Sequence, residues 1–100
     1  MTIQELFKPQ LIELNKEENL PNEIFGSNQP NFSIIAFINI AISLLMSESY
    51  DHCEFLISKV QFICDKHPEN IENPYVAQAL GLLSEIKNKL IEENLISGKY

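Results

Sequence analysis

The stretch from His52 to His67, HCEFLISKVQFICDKH, holds both histidines and both cysteines of the chain within sixteen residues. Thiolate and imidazole are the ligands of protein-bound zinc, and cysteine beside histidine pairs a nucleophile with its base. The spacing speaks against a site. On a helix Cys53 and Cys64 share a face but stand about 16 Å apart along the axis. A single zinc ion needs each sulfur at roughly 2.3 Å. Cys64 and His67, three apart, would still need ligands from elsewhere. Cys53, Leu56, Ile57, Val60, Ile63 and Cys64 recur instead at the spacing of one apolar helical stripe, so both cysteines are expected in the core. His67, just before Pro68, fits a helix C-terminus, whose dipole favours positive charge, and His52 sits in a first turn, where that dipole opposes it.

Other catalytic groupings fail on geometry as well. Ser49, Asp51 and His52 supply the residue types of a hydrolase triad, yet neighbours at the start of a helix point to different faces. The acid pairs Glu17-Glu18 and Glu92-Glu93 diverge by about 100° on a helix for the same reason. The sequence holds no glycine-rich phosphate loop and no Cys-x-x-Cys pair. The expectation is a protein with no catalytic residues, no metal and no cofactor.

The elements that would position these residues are helical. Thr2 to Glu5 has the spacing of a capping box, while Pro9 predicts either a kink or a later start near Lys8. Ile3, Phe7, Leu11 and Leu14 follow at helical spacing. Residues 20–31, LPNEIFGSNQPN, are rich in turn formers and read as the longest loop, with Ile24 and Phe25 docking onto the body. Phe32 to Met46 has only Ser33, Asn39 and Ser43 polar. It is too short for the roughly 20 apolar residues of a membrane span and reads as a central helix buried on several sides. Ser33, Ala36, Asn39, Ser43 and Ser47 form its one narrow polar stripe.

Asp51 to Glu54 has a helix-start spacing, and that helix should end by His67, because Pro68 disfavours helical geometry in the residue before it. Asn73-Pro74 is a cap followed by proline at the first helical position. It opens a last helix reaching about Ile96, with Val76, Ala79, Leu80, Leu83, Ile86 and Leu90 on one face and Gly98 as its stop. The prediction is one all-α domain over residues 1–100, a compact antiparallel helical bundle of about four helices.

Fourteen acidic residues against seven lysines and no arginine give a net charge of −7 in 100 residues. Nucleic acid and anionic membrane surfaces need the opposite sign. A basic protein is the partner such a surface attracts. The opening residues MTIQELFKPQ lack the basic start and apolar run of a secretion signal, so a cytoplasmic location is expected, with free thiols.

Acidic residues gather as Glu48, Asp51 and Glu54 near one end of the third helix and as Asp65, Glu69 and Glu72 near the other. Phe55 and Phe62, seven apart, lie almost opposite the cysteine stripe. Coverage by the first helix and its loop is the first expectation for these rings, and anchoring of a partner the second. These eight residues are the candidate partner-binding set. The functional expectation is a small acidic cytoplasmic binding protein, an immunity or antitoxin-type inhibitor from a bacterium that neutralises a basic partner such as a toxin nuclease. The alternative is a helical adaptor or secretion-chaperone-like subunit that binds a helix, or itself as a homodimer, through an apolar patch.

Overall fold

The computed structural model describes residues 1–16 and 32–98. They form four α-helices, α1 (Ile3–Leu14), α2 (Phe32–Met46), α3 (Tyr50–Lys66) and α4 (Pro74–Glu92), with a short 3₁₀ turn over Pro68–Glu72. The chain is an all-α bundle, as its periodicity predicts. The loop expected over 20–31 and the docking of Ile24 and Phe25 lie outside the described residues. No helix among the described residues is long and apolar enough to cross a membrane.

α1 begins where its capping box places it. Thr2 Oγ1 accepts from the Glu5 backbone N–H, and Glu5 Oε1 accepts from the Thr2 backbone N–H, each at 3.1 Å. The bond from the Thr2 backbone is the main reason the Glu5 carboxyl titrates below the usual range. The helix runs unbroken across Pro9 to Leu14, so the later start near Lys8 does not occur. Proline removes one backbone donor, and the buried stripe of Ile3, Phe7, Leu11 and Leu14 holds the helix in place regardless.

α2 buries Ile34, Ile38, Ala41 and Leu45 and turns Ser33, Ala36, Asn39 and Ser43 outward. Ile40 and Met46 are exposed, so its burial is more one-sided than its composition predicts. α2 packs chiefly on α3. α3 supplies Cys53, Ile57, Val60 and Cys64 to the core, with Leu56 and Ile63 packed against it. α4 contributes Tyr75, Val76, Ala79, Leu82, Leu83, Ile86 and Leu90. Its start is fixed by Asn73, whose Oδ1 accepts from the backbone N–H of Tyr75 at 2.9 Å and of Val76 at 3.4 Å. The cap and Pro74 act together as the sequence predicts.

The ends of α2 and α4 share one geometry. After α2, Ser49 N–H bonds the Leu44 carbonyl at 2.9 Å and Glu48 N–H bonds that of Leu45 at 3.1 Å. After α4, Leu95 N–H bonds Leu90 at 2.9 Å and Asn94 N–H bonds Ile91 at 3.0 Å. These are Schellman motifs, which need one residue in the left-handed region. That residue is Glu48 at φ 63° in the first and Asn94 at φ 60° in the second. α4 therefore stops at Glu92 and not near Ile96, with Asn94 in the role expected of Gly98.

Candidate functional site

The cysteines lie in the core. Both are free and buried. Cys53 Sγ donates to the Ala41 carbonyl at 3.3 Å, and burial pushes its thiol pKa up to about 11. Burial, and then the neighbouring Asp65 charge, raise that of Cys64. A thiol held protonated is a poor nucleophile and a poor metal ligand. Among the described residues no three His, Cys, Asp or Glu side chains converge on one point. His52 is exposed in the first turn of α3. His67 closes α3, its N–H bonded to the Ile63 carbonyl, and its Nδ1 stands 3.5 Å from Glu69 Oε1.

A polar seam joins α3 to α4. Lys87 Nζ donates to Ser58 Oγ at 3.0 Å and lies 3.5 Å from Gln61 Oε1, while Gln61 Nε2 donates to Ser84 Oγ at 3.2 Å. The sequence reading missed this seam, because its partners are 23 and 29 positions apart. A serine beside a lysine is also a nucleophile–base pairing. Ser58, however, lies mid-helix, where backbone N–H groups are committed to the helix and none is left to hold an oxyanion. The seam reads as interhelical bonding.

Asp51 to Glu54 was expected to start α3, and Glu54 to present charge at its rim, and the structure corrects both expectations. The cap position is Ser49, and Glu54 is only 1% exposed. Its Oε2 is buried without a hydrogen-bond partner. It lies toward the α4 side of α3, on the same face as Ser58 and Gln61 at four and seven positions further on. A carboxylate enclosed there cannot act as a rim charge.

The other seven candidates are exposed. Phe55 and Phe62 are 47% and 56% exposed and border a depression of about 240 Å³ with Ser58 and Lys59. α1 does not cover these rings, because its apolar stripe is spent largely on α4, which overturns that half of the first expectation, while the loop's share of it lies outside the described residues. Lys66 Nζ stands 5.7 Å from the centroid of the Phe62 ring, within cation–π range. The rings are about 10 Å apart along the axis, and Asp51 and Asp65 are about 21 Å apart. A helix with one face in the core thus presents two aromatic rings outward, with acidic residues at either end.

The Glu48 end is held firmly. Gln4 Nε2 reaches from α1 to donate to the Leu45 carbonyl at 2.7 Å and to Tyr50 Oη at 3.0 Å. Ser47 Oγ donates to the Leu44 carbonyl at 3.2 Å. These bonds clamp the α2–α3 turn and fix Glu48 in a conformation that glycine or asparagine adopts more readily. One cue was available in sequence, since a turn of three residues, Ser47-Glu48-Ser49, contains no glycine to take the left-handed position.

No protein-family model, curated protein or solved structure matches this chain.

Proposed function

We propose that this protein is a small acidic binding protein that neutralises a basic protein partner, in the manner of an immunity or antitoxin-type inhibitor, and that it grips the partner across the outer face of α3. The observation that carries the reading is the exposure of Phe55 and Phe62 between the acidic pair Glu48 and Asp51 and the acidic group Asp65, Glu69 and Glu72. Aromatic side chains are the commonest anchors of protein interfaces, and surrounding charge steers encounter and sets register. The roughly 21 Å between the two acidic ends lies within an interface that buries about 800 Å² on each partner. Glu48 adds support, since a charged side chain kept at a costly φ suggests that the carboxylate is used.

A helical adaptor or secretion-chaperone-like subunit is the second reading. One observation favours it: Lys59 lines the depression between the rings and Lys66 stands over Phe62, so the centre of the face is apolar and basic, with the acid confined to its ends. Co-expression in bacteria with the product of an adjacent reading frame separates the two. The inhibitor reading expects a basic, growth-arresting product whose effect is relieved by the wild type and not by Phe62→Ala combined with Asp51→Lys. A non-toxic product bound equally well by that double variant would contradict it.

A further inference from the structure

A second surface lies away from the outer face of α3, in a groove of about 580 Å³ between α1 and α2. Leu11, Ile12, Ile42 and Met46 form its apolar lining, and Lys8 and Lys16 stand on its rim. Ile12 and Met46 are 57% and 51% exposed, so two large apolar side chains in one groove face water. The chain has two acidic residues for every lysine, yet among the described residues no carboxylate lines this groove. Glu13, on the same helix, lines the opposite groove against α4, although its Oε2 reaches Lys16 Nζ at 2.7 Å. Both side chains of that pair are half exposed, and such pairs hold by only a few tenths of a kcal/mol. An incoming carboxylate therefore displaces Glu13 at little cost.

We propose that this groove docks an amphipathic helix of a protein partner, with carboxylates flanking its apolar stripe. Lys8 and Lys16 are eight residues apart on α1, about 12 Å, which is close to two helical turns, so acidic residues seven or eight apart on the incoming helix meet both ammonium groups. With Ile12 and Met46 each more than half exposed, the groove is too shallow to enclose an acyl chain or other small molecule and suits a helix. Small ligands bury roughly 70–90% of their surface in a closed pocket, whereas a helix buries one stripe and keeps its polar face in water. Methionine beside isoleucine gives an adaptable apolar floor of the kind that accepts helices. The overall negative charge repels an acidic helix at long range, but that repulsion decays over about 8 Å at physiological salt and leaves contact with the two lysines to decide. The partner chemistry is opposite to that proposed for the α3 face, so the two surfaces stand or fall separately.

Methyl NMR of the full chain tests the proposal, following Ile12 and Met46 during titration with a synthetic 14-residue helical peptide that carries leucines at helical spacing flanked by glutamates. Saturable shifts at both methyls are expected. Affinity should fall at least tenfold in Ile12→Asp and in the double variant Lys8→Glu/Lys16→Glu, each with an unchanged melting profile. Met46→Gln provides a second apolar test should Ile12→Asp unfold. Four results overturn the proposal: no shift at either methyl, equal shifts from a peptide of the same composition with its leucine spacing scrambled, saturation by dodecanoate with the same response to the variants, or Ile24 or Phe25 of the free chain found seated on those methyls.

Discussion

Replacing Glu48 by glycine should make the protein more stable. An L-residue in the left-handed region costs about 1–2 kcal/mol, which glycine avoids. Glycine also gives the unfolded chain more freedom, and that takes back about 0.4–1 kcal/mol. The net gain expected is roughly 0.5–1 kcal/mol, or a melting temperature higher by about 2–8 °C for a domain near 100 residues. Glu48→Ala removes the same carboxylate and keeps the β-carbon, so its stability should stay near that of the wild type. Asn94→Gly supplies a reference at φ 60°, and its gain should be smaller because asparagine tolerates this region better. Urea denaturation of the three variants reads each difference directly. Glycine at position 48 no more stable than alanine would refute the strain argument and remove Glu48's conformational cost as support for its function.

Three further predictions concern buried groups. Glu54→Met should raise stability by about 1 kcal/mol or more, because an enclosed oxygen without a hydrogen-bond partner costs roughly 1–3 kcal/mol, and it should leave association with a basic partner unchanged. A loss above about 1 kcal/mol would mean that the carboxylate has a structural partner. The folded state holds the Cys53 proton more tightly than the unfolded chain, so the associated stability is complete below pH ~9 and is lost as pH rises toward about 11, by at most about 2.7 kcal/mol; this loss should be absent from the stability profile of Cys53→Ala and should appear in the difference between the wild-type and variant profiles. Replacing both cysteines by serine should lower stability by about 1–3 kcal/mol while leaving partner binding intact, as urea denaturation and titration of one sample will show, since neither thiol reaches the outer face of α3.

The helices were legible because their signals are local. The Thr2–Glu5 capping box, the Asn73-Pro74 start and the stripe from Cys53 to Cys64 each lie within a few turns of chain, and each forms as its residues predict. Glu54 was misplaced because its polar-x-x-Glu spacing also suits a helix start, and only the packing of α4 on α3 shows that its side chain is enclosed. The end of α4 was misread because asparagine takes the role expected of glycine, four residues before Gly98. Exposure of Phe55 and Phe62 depends on where α1 packs, and the groove beside Ile12 and Met46 depends on how α1 meets α2. Neither can be read from a single helix.

The central claim is that the acidic ends and the aromatic pair of α3 act together on a basic partner, and association kinetics across a salt series test it most directly. With the co-expressed partner immobilised, Glu48→Lys/Asp51→Lys should slow association and flatten its salt dependence with little change in the dissociation rate, whereas Phe62→Ala should mainly speed dissociation. Association rates and salt dependence identical to wild type in the charge-reversed variant would show that the acidity of α3 serves solubility alone and would contradict the account.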